Sequence, residues 1–387
     1  MQLSKSTLNS LSLLMSKSTL HSTDVFVIGG GPAGLAAAIL ARQQGFQVVV
    51  ADSALGPIDK PCGEGLMPHG LSALEKLGIF LPEEDSYAFR GVRFLSEGQS
   101  VDASFPNGVS AMGVRRTVLH RLMMNRAISL GIDFLWQTPV TGISEDRVHL
   151  GNRKLRARWI IGADGSSSRV RRWAGLDCLR RRSCRYAFRQ HFRVAPWTNR
   201  MELHWGRHGE IYVTPVSKNE VCIASISRDP KLRLTEALQC FPELQARLRG
   251  AEVSSAERGA MTATSKLNRV SRGNVALIGD ASGTVDAITG EGLCLAFSQA
   301  LVLANCLRTG NLARYEREHR SLARRPQLTA QLMLTLDGRP RLQRRALRAF
   351  QKRPHIFRRL LELHVGALSP LHLAKDGLTL GWGLLTA

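Results

Sequence analysis

The chain has 387 residues, of which 44% are hydrophobic and 22% are charged. This length suits two domains rather than one small core, and the composition excludes a disordered or fibrous protein. The seven cysteines are widely spaced and contain no C-x-x-C pair, so we predict no metal site, reduced thiols and a cytoplasmic location. Because no run of about 18 apolar residues occurs, we also predict no transmembrane helix.

The formal net charge is +22, and much of it comes from arginine, including a stretch from residue 339 to residue 359 that contains no acidic residue. Such a surface attracts anionic partners: a nucleic acid, an anionic membrane, or an acidic or carrier-bound substrate. Aromatic residues, which stack on bases, make up only 6% of the chain, so we predict no nucleic-acid partner. Two interpretations of the positive charge remain: peripheral contact with an anionic membrane, and a basic surface without a specific partner.

Residues 1–23 precede the first predicted strand. They contain no acidic residue and no arginine. Transit peptides are rich in arginine, and a secretory signal has a longer apolar centre. We therefore predict a disordered extension, or a true start at Met15.

The sequence after this extension predicts a βαβ unit. An apolar strand at residues 25–28 leads into a glycine turn, a helix at 33–44 and a second strand at 48–51. A glycine turn between a strand and a helix is the setting that dinucleotide binding requires.

The turn itself reads Gly-Gly-Gly-Pro-Ala-Gly from Gly29 to Gly34. In the dinucleotide fingerprint Gly29 permits the tight turn, Gly31 lets a pyrophosphate approach the backbone, and Gly34 lets the helix pack against the strand. The helix that begins at Pro32 directs its free amides at the phosphates. Asp52 ends the second strand 18 residues after Gly34, where a carboxylate accepts hydrogen bonds from a ribose.

The later part of the chain alternates irregularly and then becomes helical. Short alternating strands between residues 184 and 227 predict an inserted antiparallel sheet. The sequence after residue 307 is mostly helical to about residue 364, with breaks predicted near Pro326, Pro340 and Pro354. The other predicted elements are helices at 71–77, 117–129 and 292–307 and strands at 132–136 and 159–161.

Two further segments distinguish FAD binding from NAD binding. Residues 162–171 begin with Gly-Ala-Asp-Gly after an apolar strand, and residues 273–281 form a strand that runs into Gly279-Asp280. Together with the first turn, in this order and spacing, they resemble the flavoprotein hydroxylase superfamily of p-hydroxybenzoate hydroxylase and its geranylgeranyl reductase branch. The resemblance covers residues 24–307.

The resemblance implies an α/β fold in three parts. These are a Rossmann-like FAD-binding domain of the GR2 type, an inserted antiparallel β-sheet substrate domain and a helical C-terminus. The implied bounds are 24–85, 112–175 and 268–330 for the FAD-binding domain, 86–111 and 176–267 for the substrate domain, and 331–387 for the C-terminal helical segment.

The resemblance also implies which residues bind FAD. Asp280 would bind a ribityl hydroxyl, and Asp164 would lie near the pyrophosphate. Arg116 would contact the phosphates, with Arg115 as the alternative. The predicted FAD-binding residues are Gly29, Gly31, Pro32, Ala33, Gly34, Asp52, Cys62, Gly63, Arg116, Asp164, Gly279, Asp280, Gly290 and Gly292.

Two loops resemble those of the geranylgeranyl reductase branch: residues 60–66, which in that branch lie beside the flavin, and residues 286–292, before the last helix of the FAD-binding domain. They contain Cys62 and Glu291, which are the candidate catalytic residues. The alternative for Cys62 is a packed thiol, because no histidine is adjacent in sequence to activate it. The alternative for Glu291 is a structural role in which the carboxylate orders its own loop. Glu64 is open to the same two interpretations, and no proton donor is predicted.

Three polar residues of the predicted antiparallel sheet are substrate candidates: Arg189, His191 and Tyr212. Alternate residues of a strand point to opposite faces, so some of them should face the flavin. Which residues do so depends on a register that the sequence does not reveal.

These features predict a FAD-dependent oxidoreductase. We favour an NADPH- or NADH-dependent monooxygenase that hydroxylates a small aromatic, polyketide-like or lipid-like substrate, since the flavin supplies the chemistry and no catalytic triad is needed. The first alternative is a geranylgeranyl reductase-like enzyme that reduces C=C bonds of a prenyl or lipid chain, which the loops around Cys62 and Gly290 favour. The second is a non-enzymatic, FAD-stabilised basic protein that binds membrane surfaces.

Overall fold

The computed structural model describes residues 21–177 and 179–369. The first strand begins at Ser22, one residue before the predicted end of the N-terminal extension, whose first 20 residues lie outside the described part. In chain order the strands are β1 Ser22–Ile28, β2 Val48–Ala51, β3 Gly65–Leu66, β4 Ser86–Phe89, β5 Gly91–Ser96, β6 Gln99–Ser104, β7 Ala111–Val114, β8 Asp133–Leu135, β9 Gly142–Ser144, β10 Arg147–Leu150, β11 Arg153–Gly162, β12 Leu179–Arg193, β13 Met201–Trp205, β14 Glu210–Ser217, β15 Glu220–Ser227, β16 Glu252–Val253, β17 Arg258–Leu267, β18 Ser271–Arg272, β19 Val275–Leu277 and β20 Gly283–Thr284.

The helices confirm most of the predicted ones to within a few residues. In chain order they are α1 Pro32–Gln43, α2 Pro68–Leu77, α3 Arg116–Ser129, α4 Arg169–Trp173, α5 Leu234–Gln239, α6 Pro242–Arg247, α7 Gly292–Thr309, α8 Leu312–Leu336, α9 Pro340–Lys352 and α10 Pro354–His364.

The first sheet is mostly parallel and carries the glycine turn. Its strand order is β18-β19-β11-β1-β2-β8, and the neighbours from β19 to β8 run parallel. The register places Ile28 of β1 beside Ala51 of β2 and Gly162 of β11. The carboxyl ends of these strands therefore meet at one edge, where open α/β sheets bind their ligands.

Helix α7 packs on α1, α2 and α8 in the core of this first layer. It is the one described helix that is long and apolar enough to cross a membrane, judged by length and composition alone. Its buried residues include Phe297, Leu303 and Leu307, which belong to the same core as β1 and β2.

The second sheet confirms the predicted antiparallel insertion and is larger than predicted. Its order is β20-β17-β12-β15-β14-β13-β5-β6, with β16 beside β12. One pair, β13 and β5, runs parallel. The sheet thus draws strands from three separate stretches of the chain, and a further small sheet, β3-β7-β4, packs against its strand β14.

The register of the second sheet decides which side chains face which way. Ile211 and Val213 of β14 pack with the core under α5 and α6, whereas Tyr212 between them belongs to the core under α9 and α10. Arg189 pairs with Ala224, which in turn pairs with Tyr212. Since alternation is strict, Arg189 lies on the same face as Tyr212.

The C-terminal segment departs from prediction at one proline. Pro340 and Pro354 begin α9 and α10, as the predicted breaks require, but Pro326 lies inside α8 and does not interrupt it. A proline removes one backbone hydrogen bond and costs about 3 kcal/mol in a helix interior. Pro326 is buried, and α8 packs against α7, α9 and α10, which offsets that cost.

Candidate functional site

The turn between β1 and α1 forms a cradle for a phosphate group. A Cβ atom on Gly29, whose φ is +110°, would lie 2.4 Å from the Ala163 carbonyl oxygen, and one on Gly34 would lie 1.9 Å from that of Gly29. A Cβ on Gly31 would meet nothing within 4 Å. Among the described residues no side chain caps α1, which begins at Pro32, so its first amides and its dipole face open space.

Asp52 holds this turn in place. Its Oδ2 accepts a hydrogen bond from the Gly30 amide at 2.7 Å, and its Oδ1 accepts one from the Ala54 amide at 2.8 Å. From the other side, His120 Nε2 lies 2.7 Å from the Gly30 carbonyl oxygen, and burial lowers the pKa of this histidine. His120 comes from α3, and no motif in the sequence marks it. Contact between Asp52 and a ribose stays a prediction.

Charged side chains border the space in front of the turn. Nε of Arg116 is buried without a hydrogen-bond partner among the described residues, whereas Arg115 is occupied by Glu220, whose Oε2 lies 3.0 Å from its Nε. Asp280 is open to solvent on one side and closely surrounded on the others. That desolvation raises its pKa, and the nearby charges of Lys60 and Arg116 act in the opposite direction. An unsatisfied guanidinium beside a phosphate cradle fits an anionic ligand.

Asp164 organises the turn after β11. Its Oδ1 accepts a hydrogen bond from the Ser168 hydroxyl at 2.5 Å, and its Oδ2 accepts bonds from the amides of Arg169 and Val170 at 2.7 and 3.1 Å. These bonds fix the start of α4 next to the phosphate cradle. The structure thus gives Asp164 a supporting position, and a closer role toward the cofactor stays a prediction.

The other predicted glycines fall into two groups. A Cβ on Gly63, Gly290 or Gly292 would meet nothing within 4 Å, so these three border open space. A Cβ on Gly279 would lie 2.7 Å from that of Ala33, so Gly279 serves the approach of its loop to α1. The open glycines, the free helix N-terminus and the unpartnered guanidinium are together what a dinucleotide such as FAD requires.

A buried polar cluster joins the loop after β2 to the second sheet. Oε1 of Glu64 accepts a hydrogen bond from the Arg116 amide at 3.0 Å, and its Oε2 lies 2.6 Å from Nε2 of His191. Arg189 pairs with Asp59 and lies 3.9 Å from Glu64 Oε1. Both β12 side chains face the FAD-binding part of the chain but are almost fully buried. Their contacts are structural, and contact with a substrate stays a prediction.

Cys62 lies beside this cluster. Its Sγ accepts a hydrogen bond from the Glu64 amide at 3.3 Å, and burial raises its pKa, although Arg116 acts in the opposite direction. A thiol with a raised pKa is protonated at neutral pH, which argues against a nucleophilic role. Cys222, Glu64 and His191 bring three possible metal-ligand atoms within 4.8 Å of one another, but the carboxylate and the imidazole already bond to each other.

Glu291 lies in a second buried cluster, at the N-terminus of α7, and is 1% exposed. Its Oε1 lies 3.1 Å from Nη2 of Arg325 and 3.7 Å from Nε2 of His69. Its Oε2 lies 3.4 Å from Nδ1 of His364 and accepts a hydrogen bond from the Thr329 hydroxyl at 3.3 Å. The sequence predicts Glu291 alone, because its partners lie on three other helices.

Burial shifts the pKa of the glutamate and the pKa values of the two histidines in opposite directions. Burial raises the pKa of Glu291 to about 7, and Arg325 opposes the shift. Burial lowers the pKa of His69 to about 3 and that of His364 to about 4, with the charge of Arg325 adding to both shifts. Both histidines are therefore neutral at pH 7, while Glu291 is divided between its two forms.

An apolar cavity of about 180 Å³ lies between the second sheet and helices α8, α9 and α10. Its walls include Phe94 from the sheet and Leu361 from α10, and Ile288 and Thr289 come from the loop beside Gly290. Tyr212, a predicted substrate residue, lines the cavity with its ring, since its hydroxyl donates a hydrogen bond to the Ile288 carbonyl oxygen at 2.7 Å. Thr329 and His364 of the Glu291 cluster also line it.

Comparisons with known proteins agree with this geometry. The FAD binding domain family matches residues 22–324 of the chain. Menaquinone reductase of Mycobacterium tuberculosis is 29% identical over 322 residues, which cover 76% of this chain and 78% of the relative. Digeranylgeranylglycerophospholipid reductase of Methanocella arvoryzae is 25% identical over 329 residues, covering 77% and 82%.

Solved structures share the fold. The crystal structure of pqsL, a probable FAD-dependent monooxygenase from Pseudomonas aeruginosa, is similar with a TM-score of 0.70 and 22% identity, over 82% of this chain and 97% of that one. Similarity at this level of identity shows the fold alone. The proteins to which the chain is similar therefore include both reductases and a monooxygenase.

Proposed function

The chain belongs to the FAD binding domain family of FAD-dependent oxidoreductases, and from this we propose that it reduces carbon–carbon double bonds in a prenyl or other lipid-like chain. The apolar cavity beside the Gly290 loop carries this proposal. Among its described lining residues there is no aspartate, glutamate, lysine or arginine. The one titratable imidazole, His364, has a pKa lowered to about 4 by burial and is neutral at pH 7.

The size of the cavity suits a hydrocarbon segment. An apolar cavity of about 150 Å³ stays dry and binds benzene in a small protein, so the cavity of about 180 Å³ holds a segment larger than one six-carbon ring. Its polar lining atoms are few, and the Tyr212 hydroxyl is already bonded to the Ile288 carbonyl oxygen. A phenolate or carboxylate substrate would find no ionic partner on these walls.

The named relatives support the same choice. The two sequence relatives are reductases, and one of them is named for a digeranylgeranyl glycerophospholipid, which is a prenyl lipid. The similarity to the monooxygenase rests on the shared fold. The sequence analysis favours hydroxylation. With the cavity and the relatives taken into account, we propose reduction instead.

Several groups of the chain would hold FAD. The amides at the start of α1 and the guanidinium of Arg116 would bind the phosphates, and Asp280 would accept hydrogen bonds from the ribityl chain. Reduced FAD would supply a hydride, with NADPH or NADH as the donor that reduces it. The N-terminus of α7, beside Gly290, would stabilise negative charge near the ring.

Anaerobic turnover tests the proposal directly. Purified protein with FAD is reduced with NADPH and then with NADH, and a prenyl lipid is added without oxygen while flavin absorbance is followed. We expect the lipid to reoxidise the flavin and mass spectrometry to show a gain of two hydrogens per double bond. Flavin that reoxidises only with oxygen, together with an added oxygen atom in an aromatic or lipid substrate, would instead establish the monooxygenase.

We also propose that the basic helices bring the enzyme to an anionic membrane. Arg341, Arg345 and Arg348 share one exposed side of α9, while Leu347 and Phe350 pack into the core on the other. The same helix forms part of the cavity wall. A cationic surface beside an apolar cavity is suited to a substrate that resides in a lipid bilayer.

A further inference from the structure

The Glu291 cluster has chemistry that the binding of FAD does not use. Reduction of a double bond needs a hydride on one carbon and a proton on the other, and the apolar walls of the cavity offer few polar atoms that could hold a water molecule as the proton source. A titratable side chain at the wall is therefore the proton source that the structure offers. His364 and Thr329 line the cavity, and both lie within 3.4 Å of Oε2 of Glu291.

The surroundings of Glu291 balance its two charge states. Three helices face it with charged or titratable groups: α2 with His69, α8 with Arg325, and α10 with His364. The two histidines are neutral at pH 7, and Arg325 is partly open to solvent, which weakens its hold on the carboxylate. The carboxyl group therefore keeps its proton in a large share of the molecules at neutral pH and still has a cation beside it once the proton leaves.

We propose, on the basis of the proposed reductase function, that Glu291 stores the proton for double-bond reduction and passes it to the cavity through His364. His364 Nε2 gives its proton to one alkene carbon while Nδ1 takes the proton of Glu291. Reduced FAD, once bound, would supply the hydride for the neighbouring carbon and would be left oxidised, so that two C–H bonds replace the π bond. Glu291 ends as a carboxylate beside Arg325, whose side chain is 24% exposed, and takes up a proton from solvent before the next turnover.

The other buried carboxyl groups do not meet these conditions. Glu64 is bonded to the Arg116 amide and to His191. Burial also raises the pKa of Glu210 to about 7, but Glu210 pairs with Arg185 and does not line the cavity. Glu202 is the matched control: the same residue type, buried and 3.2 Å from Nε2 of a histidine, His204, but absent from the residues that line the cavity, because it points to the opposite face of β13.

The test compares Glu291→Gln, His364→Gln and Glu202→Gln. We expect Glu291→Gln and His364→Gln to slow double-bond reduction about a hundredfold, the usual contribution of a positioned proton donor, while FAD binding and flavin reduction by NADPH or NADH stay unchanged. Wild type and Glu202→Gln should lose rate as the pH rises through about 7, where Glu291 gives up its proton. The residual rate of Glu291→Gln should not depend on pH in this range.

Infrared difference spectra give a readout that needs no substrate. The spectrum of the wild type minus that of Glu291→Gln should contain a carboxylic acid C=O band that disappears as the pH is raised through about 7. The proposal is overturned if this band is absent, or if Glu291→Gln or His364→Gln reduces double bonds at the wild-type rate. If the wild type shows the band but reduces no double bond in any prenyl lipid, the proposed function itself has failed, and the proton transfer fails with it.

Discussion

Gly29, Gly31 and Gly34 follow one fingerprint but meet different surroundings. Gly29 and Gly34 are closed in by backbone, since a Cβ on either would lie within 2.4 Å of a carbonyl oxygen. Gly31 has a φ of −70°, which any residue can adopt, and a Cβ placed on it would meet no atom within 4 Å. The space at Gly31 is open, and we predict that the pyrophosphate of FAD occupies it.

Substitutions at two of these glycines should therefore separate folding from binding. Gly31→Ala should change the free energy of unfolding by less than about 1 kcal/mol, because its Cβ would meet no described atom within 4 Å, and should weaken FAD binding at least roughly a hundredfold. Gly34→Ala should destabilise the apoprotein by about 3 kcal/mol, since its Cβ meets the Gly29 carbonyl oxygen. Thermal unfolding and FAD titration of the apoprotein measure both effects. Equal stability losses in the two variants would contradict this division.

Adjacent arginines offer a second test at the same scale. Arg116→Ala should weaken FAD binding by about 2 kcal/mol, or roughly thirtyfold, because a charge-assisted contact is lost. Arg115→Ala removes the same charge but breaks contacts within the protein, namely the ion pair with Glu220 and the hydrogen bond to the Ser254 carbonyl oxygen, so its dissociation constant for FAD should stay within about threefold of the wild type. Calorimetric titration of each apoprotein with FAD decides between them. A larger loss in Arg115→Ala would reverse the assignment.

At the scale of elements, the sequence predicts those strand and helix boundaries that a local residue pattern determines. The strand at 48–51 and the helix start at 292 agree with β2 and α7, because apolar runs and glycine turns mark such boundaries. The break expected at Pro326 is wrong, since tertiary packing overrides a single local penalty. The cavity was not predicted, because its lining comes from strands and helices that lie far apart along the chain and share no motif.

The cavity makes a prediction about α8. Met333 lines it, whereas Leu328, earlier on the same helix, does not and is 36% exposed. Met333→Trp should fill part of the cavity and lower kcat/KM for a prenyl lipid at least roughly tenfold, with FAD affinity unchanged. Leu328→Trp adds the same side chain outside the cavity and should retain wild-type kcat/KM in detergent. Steady-state kinetics with the lipid and FAD titrations test the pair, and equal losses would remove the cavity from the substrate path.

At the scale of the whole molecule, one buried ionic cluster connects the second sheet and the C-terminal helices to the loop before α7, residues 286–292. Arg185 of β12 pairs with Glu210 of β14, with Asp286 of the loop before α7 and with Asp337 at the end of α8. Tyr212 adds a hydrogen bond to the same loop. The walls of the cavity and the loop beside Gly290 are therefore held as one unit, and the cavity keeps a fixed position relative to that loop.

The charge distribution of this unit leads to a prediction about membranes. Each basic residue near an anionic bilayer contributes about 1 kcal/mol of binding energy. Replacing Arg341, Arg345 and Arg348 with glutamine should therefore weaken binding to vesicles that contain anionic lipid by about 3 kcal/mol, roughly a hundredfold. Sedimentation with anionic and with neutral vesicles measures this, and high salt should release the wild type.

A second triple variant separates this surface from the basic character of the whole chain. Arg147, Arg153 and Lys154 are exposed on the β9–β11 side of the first sheet, and their replacement with glutamine removes the same charge far from the cavity helices. This control should keep most of its affinity for anionic vesicles. Because a long-range attraction depends on net charge while docking depends on position, equal losses in the two triples would mean that the helices have no specific part in binding. If the wild-type protein does not bind anionic vesicles at low salt, the proposal of membrane binding is wrong. A lipid substrate would then have to reach the cavity through solution, bound to a carrier.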